Sequence, residues 1–338
     1  MAAEDFPIWR RETEGRFFAR IDVTRTLSNT MLTLPLHVIT GRNAGPTLGI
    51  IATVHGDETL PAMAIRDFLI SLDTSAMAGR VAAVPIANPS AFARFDRQTG
   101  EQHGKTDLHE VFPGNRRGNL TQMMAAVMAE NLLDHVDAFV DFHSGGSGGR
   151  FQSRVDFDVA APDDVGEQCL ALCRAFGTLF VHRNNLAGTA SHTVNKRGVP
   201  TVNAEVGGSY LGPEVTARYI QESVRGLRNV MIKLGMLPKE KAGVPGRQLL
   251  YDVASRFEVN PTVGGYLRSF FERPDDLGTR LSKGTKLGEV VDLYSFEVIE
   301  DLVATVDGYL FFSRYSGVVE AGTKAFALAE EATSKWLE

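Results

Sequence analysis

The chain has 338 residues, enough for one large domain plus a small one. Its net charge of -6 leaves no basic stripe of the kind a nucleic acid requires, so nucleic acid is excluded as a partner. No apolar stretch approaches the ~20 residues of a membrane span, and Met1-Ala-Ala-Glu-Asp-Phe-Pro lacks the basic-then-apolar pattern of a secretion signal. No membrane association and a cytoplasmic location are therefore expected. Cys169 and Cys173, four apart in a predicted helix, fit two small apolar residues in a reduced protein better than a disulfide or a metal site.

The first informative segment runs from Thr47 to Val54, continuous in apolar residues, and reads as a buried strand. His55-Gly56-Asp57-Glu58 follows at once, and then Thr59 to Leu72 with apolar residues at helical spacing. A His and a Glu on the turn leaving a buried strand can point at one spot. A neutral imidazole and a carboxylate are ligands that zinc takes in hydrolytic sites, where one position stays open for water. A second strand spans Arg80 to Ala87, and Asn119 to His135 carries a helical stripe of Leu120, Met123, Met124, Val127 and Met128 that suits core packing.

A third ligand should also leave a strand end. Asp137 to His143 is such a strand, followed by Ser144-Gly145-Gly146-Ser147-Gly148-Gly149. Asp141 lies on the same face as His143 and suits an outer acceptor for its ring or a separate role. His37, His103, His109, His135, His182 and His192 lack this combination of strand end and glycine-rich turn. Helices are predicted over Asp163 to Phe176 and Pro213 to Leu234, with a strand from Val199 to Val206 between them. In that strand Glu205 stands inside an uncharged run before Gly207-Gly208, where burial without a partner is costly. Such a carboxylate beside a metal suits the general base of a hydrolase.

Strands alternating with helices argue an α/β domain, with every proposed site residue at or just beyond a strand end. Composition changes after Leu237-Pro238-Lys239-Glu240-Lys241. The predicted division is a catalytic domain over 1–243 and a smaller β domain over 244–338, whose short strands are punctuated by glycine. Ser282 to Val290 and Val303 to Leu310 resemble a biotinyl/lipoyl-like fold. The comparable turn, Tyr294-Ser295-Phe296, has no lysine to modify, so the segment reads as a structural cap.

Taken together, His55-Gly-Asp-Glu58, Asn88-Pro89-Ser90-Ala91-Phe92, Asp107-Leu108 with Phe112-Pro113-Gly114, Asp141-Phe142-His143 and Glu205-Val-Gly-Gly208 resemble the succinylglutamate desuccinylase and aspartoacylase family of zinc carboxypeptidase-like hydrolases. The resemblance implies a mixed, largely parallel sheet flanked by helices. It also implies one Zn2+ held by His55, Glu58 and His143, with Glu205 as general base. An arginine that polarises the scissile carbonyl is implied upstream of Asp107, either Arg97, which is preferred, or Arg94. The chain departs from the family where Asp-Leu-Asn-Arg is usual, because it reads Asp107-Leu108-His109-Glu110. The family Asn and Arg help hold a substrate carboxylate, so His109 and Glu110 become substrate-facing candidates of altered chemistry. Either another arginine serves, or the substrate lacks that carboxylate, or it is cationic there.

The implied activity is zinc-dependent hydrolysis of the linear amide of a small N-acylated amino acid or amine. The alternatives are a carboxypeptidase-like peptidase and a zinc-bound binding protein without catalysis. The partner expected is a small N-acyl substrate, and assembly as a homo-oligomer is left open.

Overall fold

The structure is a computed structural model and describes residues 13–239 and 246–338. The N-terminal seven residues read above for a signal, and the predicted boundary at 243/244, lie outside the described residues.

The chain begins with two antiparallel strands that the sequence reading did not single out, β1 (Gly15–Arg25) and β2 (Met31–Thr40). Then come β3 (Asn43–Ala52), α1 (Leu60–Ser71), β4 (Ala78–Val84), the single turn α2 (Pro89–Phe92) and α3 (Leu120–Asn131). Next are β5 (Ala138–His143), β6 (Gly149–Asp158), α4 (Asp163–Phe176), β7 (Phe180–Asn184), α5 (Ala190–Asn195), β8 (Thr201–Gly208) and α6 (Pro213–Lys233). The four predicted strands and four predicted helices are all present, within a few residues at their ends.

At the centre of the sheet β4, β3, β5 and β8 run parallel in that spatial order. Antiparallel strands extend it on both sides, β2 and β1 beyond β4, and β6 beyond β8. The period-2 alternation of a strand divides its side chains between two cores. In β3, Leu48, Ile50 and Ala52 pack with α1, α4 and α6, whereas Ile51 packs with α3, α5, β1 and β2. Both faces of the central strands are covered, which is why they read as unbroken apolar runs. Cys169 and Cys173 are free thiols buried in the first core.

The C-terminal segment holds β9 (Gln248–Asp252), β10 (Arg256–Val259), β11 (Gly265–Ser269), β12 (Arg280–Leu281), β13 (Lys286–Val291), β14 (Val298–Val303), β15 (Gly308–Arg314), β16 (Gly317–Val319), β17 (Phe326–Glu330) and β18 (Lys335–Leu337). A four-stranded sheet, β14-β13-β11-β16, packs around Leu267, Leu287, Val290, Leu302 and Phe326. The remaining strands join the main sheet: β15 pairs with β6, with Phe312 opposite Phe151 and Arg314 opposite Gly149, while β9 pairs with β7. Composition marks this segment as different, yet its hydrogen bonding is continuous with the first. Among the described residues no helix is long and apolar enough to cross a membrane.

Candidate active site

The chain turns sharply as it leaves β3. Thr53, fully buried, takes φ 55°, a conformation that costs a β-branched residue about 1–3 kcal/mol and persists only where the surroundings fix it. They do so here: Asn88 donates from its backbone N to Thr53 O (3.0 Å) and from its side chain to Val54 O (3.2 Å). Gly56 follows because a Cβ there would sit 2.1 Å from the Ala91 carbonyl carbon. The Asn88-Pro89 motif thus acts as the mould for the His55–Glu58 turn.

In that turn Glu58 is the hub. Its Oε1 lies 2.8 Å from His55 Nδ1, and its Oε2 lies 3.1 Å from His143 Nδ1 and accepts from Ser144 N at 3.0 Å. His143 arrives at the end of β5, in register with Glu205 of β8. Behind the two rings stand two further carboxylates: His55 Nε2 is 3.1 Å from Asp107 Oδ1, and His143 Nε2 is 3.2 Å from Asp141 Oδ1. His55, Glu58, Asp141 and His143 are all buried.

This donor set fits a divalent cation. A metal-binding histidine typically gives its distal N–H to a carboxylate. Asp107 stands where it would receive that proton from His55, whereas Asp141 lies within ion-pair distance of His143 Nε2 without a hydrogen bond between them. With Nε2 protonated, each ring turns an Nδ1 lone pair toward the carboxylate of Glu58, so three acceptors converge within 4.8 Å of one another. Acceptors facing acceptors in a buried site need a positive charge among them. Without one, a proton must serve. Burial opposes charge on His143, but Asp141 and Glu58 outweigh it and hold its pKa well above the ordinary value. Burial likewise opposes ionisation of Glu58, but His55 and His143 hold its carboxyl well below the usual range. Two imidazoles, one carboxylate and an open side are the set typical of catalytic zinc.

The triad opens into a cleft of about 470 Å³ lined also by Arg97, His109, Phe151, Glu205, Phe312, Arg314 and Lys324. Arg97 reaches in from a half-exposed position, with Nη2 3.3 Å from Asp107 Oδ2 and Nη1 3.6 Å from Glu58 Oε1. Glu205 lies 3.5 Å from Arg154, and its Oε2 is buried without a hydrogen-bond partner among the described residues. Burial raises the pKa of Glu205, against the pull of Arg154 and His143. His109 faces the cleft with its ring centroid 4.5 Å from that of His143. Burial and then the charge of His143 push its pKa down to about 3, so it is a neutral imidazole. The glycine-rich turn after His143 is tied down by Asp57, whose Oδ2 accepts from Ser147 N at 2.8 Å and Ser147 Oγ at 2.9 Å.

Two residues expected at the substrate stand elsewhere. Arg94 folds back on its own loop and donates to the carbonyls of Gln98 and Thr99, and is not among the residues lining the cleft. Glu110 is exposed at the end of a short 3-10 turn, its carboxylate 4.0 Å from Lys105, and it does not line the cleft either. The turn accounts for this: with Asp107 capping it and directed to His55, the residue three further on is carried round to the solvent side.

Sequence reading missed the residues behind Glu205. Arg154, in β6, is fully buried and makes two hydrogen bonds to Asp156, from Nε at 2.9 Å and Nη2 at 3.1 Å. Asp156 also accepts from Asn184 at 2.9 Å and lies 3.4 Å from His182, which stacks on Tyr251 at 4.4 Å. It missed Phe312, Arg314 and Lys324 as well.

The descriptive profile of the succinylglutamate desuccinylase/aspartoacylase catalytic domain matches residues 44–234, more than half of the chain. The chain is 26% identical over 308 residues to the N-alpha-acetyl-L-2,4-diaminobutyric acid deacetylase of Halomonas elongata, covering 88% of this chain and 85% of that one. Its fold superposes with a TM-score of 0.82 on the product-bound ectoine utilization protein EutE (DoeB) from Ruegeria pomeroyi, at 25% identity over 94% of this chain and 96% of that one. A succinylglutamate desuccinylase/aspartoacylase from Rhodobacter sphaeroides shares the fold, with a TM-score of 0.79, 23% identity and the same coverage of both chains. With its motifs assembled in one cleft and the profile matched across them, the chain belongs to the succinylglutamate desuccinylase/aspartoacylase family.

Proposed function

We propose that this protein is a zinc-dependent deacylase that hydrolyses the linear amide of a small N-acyl amino acid. The observation that carries the reading is the buried Oε2 of Glu205, without a hydrogen-bond partner among the described residues, in the same cleft as the His55–Glu58–His143 triad. A carboxylate whose pKa burial has raised, and whose oxygen is left free, is suited to take up and release a proton. The diaminobutyric acid deacetylase, matched over most of both chains, supports the choice of an N-acyl amino acid over other amides.

His55, Glu58 and His143 would hold one Zn2+, which when bound supplies Lewis acidity to the water and to the scissile carbonyl. Asp107 fixes the tautomer and ring orientation of His55 through its hydrogen bond to Nε2, and Asp141 places a negative charge behind the ring of His143. Glu205 accepts a proton from the attacking water on Oε2 and returns it to the nitrogen as the C–N bond breaks. Arg97 offers N–H donors to the negative charge that develops on the carbonyl oxygen. His109, neutral at physiological pH, offers the substrate a hydrogen bond but no charge.

The test is release of free amine from a panel of N-acetyl and N-succinyl amino acids, diamines and dipeptides by zinc-loaded protein. Turnover of N-acyl amino acids is expected. Cleavage restricted to C-terminal peptide residues would replace this reading with the peptidase, and stoichiometric binding without turnover would replace it with the non-catalytic binder. Cytoplasmic location and any oligomer remain part of the proposal.

A further inference from the structure

The family's usual carboxylate-binding arginine is missing from this chain, and the cations that could replace it can be sorted by what they already hold. Arg94 is tied to its own loop. Arg97 is paired with Glu58 and Asp107, Arg116 with Glu130 and Arg154 with Asp156. Arg150 is buried among the carbonyls of Phe271, Glu272 and Arg273, 4.0 Å from Asp276. Two cations in the cleft remain, and both come from the C-terminal segment. Neither Arg314 nor Lys324 has a carboxylate oxygen within 4.0 Å among the described residues.

Their surroundings are built rather than incidental. Arg314 sits at the end of β15, opposite Gly149, and its Nε donates to the carbonyl of Lys324 at 2.8 Å. Its guanidinium lies against the glycine-rich turn so closely that a Cβ on Gly148 would come 2.9 Å from Nη1. The ammonium of Lys324 is 4.4 Å from the ring centroid of Phe312 and 5.3 Å from that of Phe151. Both rings line the cleft, and both hold the cation where water is scarce. Burial, then Arg256 and Arg154, lowers the pKa of Lys324 to about 8 against the opposing influence of Glu258 and Glu205. Two neighbouring, partly desolvated cations with no carboxylate in direct contact among the described residues are costly, and a substrate carboxylate would supply that contact.

We propose that Arg314 and Lys324 form the carboxylate subsite of the cleft, so that the substrate is an N-acyl amino acid held by its free carboxylate against the wall contributed by the C-terminal segment. The inference rests on the deacylase reading and narrows it. Acylated amines without a carboxylate are excluded as good substrates. The segment is thereby a part of the substrate site as well as a cap. A guanidinium and an ammonium on one carboxylate give charge-assisted hydrogen bonds.

The probes are N-acetyl-L-alanine against N-acetyl-L-alaninamide, and N-alpha-acetyl-L-2,4-diaminobutyrate against its primary amide. Each pair differs in the carboxylate alone. Zinc-loaded wild type should favour the acid by about tenfold or more in kcat/KM, the scale of a charged hydrogen bond. In Lys324→Met and in Arg314→Gln that acid-over-amide ratio should fall at least severalfold, through KM of the acid rather than kcat. A wild type that uses the amides as well as the acids, or variants in which the ratio is unmoved, overturns the subsite. If no probe is hydrolysed, it is the deacylase reading that fails. Calorimetric binding of the same four probes then decides the subsite separately: tighter binding of the acids, lost in Lys324→Met, sustains it, and equal or absent binding removes it.

Discussion

The guanidinium of Arg154 stands 3.5 Å from the carboxylate of Glu205 and closer still to Asp156, at 2.9 Å and 3.1 Å. The proposed base is therefore backed by a buried cation that is itself neutralised from behind. Burial opposes charge on Arg154, but Asp156 and then Tyr251 and Glu205 raise its pKa, so it stays a cation. Replacing Arg154 by Met strands Asp156 as a buried, unpaired charge, a change that costs about 3–5 kcal/mol. Equilibrium urea unfolding of apo protein should show that loss, and a loss below about 1 kcal/mol would mean that water enters to solvate Asp156.

Metal content offers the most direct check of the triad. His55→Ala and His143→Ala should each abolish stoichiometric zinc, measured by elemental analysis after dialysis. Asp107→Ala removes only the carboxylate behind His55 and should weaken zinc by about 10–100-fold. Full occupancy in His143→Ala would remove that residue from the ligand set.

Glu205→Gln keeps the shape of the side chain and removes its proton-accepting function. Zinc should be retained while kcat falls by about 10²-fold or more. Turnover near that of wild type would shift the role to another carboxylate, with Asp141 the first to examine.

Lys324 gives a pH dependence whose sign can be worked out. Its pKa is about 8 in the folded chain against an ordinary 10.5, so between those values the folded state binds fewer protons than the unfolded state. Stability owed to this group therefore rises with pH across that window, and its cost is full below about pH 8. Lys324→Met should stabilise the protein at pH 7, with the gain shrinking toward pH 10 in paired urea titrations. A gain that does not change with pH would mean that Lys324 is not desolvated.

Glu110 faces solvent, with Lys105 as its nearest cation. Glu110→Gln should leave the ranking of acidic, neutral and basic N-acetyl amino acids within about twofold, since exposed charges are strongly screened. A reordering in favour of acidic substrates would place this side chain at the substrate after all.

The parts of the site legible in the sequence are those in which one short motif carries both the chemistry and its own geometry. His55 and Glu58 share a single turn, and His143 ends an apolar strand beside a glycine-rich loop, so spacing alone brings them near each other. Of the two candidate arginines it is Arg97, on the loop that leads to Asp107, that lines the cleft, and Arg94 does not. What stayed hidden depends on direction. Arg154 and Asp156 alternate with apolar residues in β6, as solvent-facing residues of an edge strand do, and nothing local says that their face is covered by Tyr251 and Phe311. Glu110 shows the opposite error: its position in a motif suggested the pocket, but a one-turn helix rotates it away. Lys324 and Arg314 were out of reach because a lysine after a glycine turn looks like any surface residue until β15 is laid beside β6.

The pairing of β15 with β6 also limits how this chain could be taken apart or recombined. Cutting at the change of composition near residue 243 would strip partners from β6 and from β7, which β9 covers. The fragment would present bare strand edges, the usual template for aggregation. A chimaera that exchanged the C-terminal segment for a relative's would have to import a matching strand and, on the proposal made above, would import that relative's substrate preference with it. Selectivity and structural integrity are then inherited as one unit, so new specificity should arise by substitution within β15 and the segment that joins it to β17 more readily than by exchange of the whole C-terminal segment.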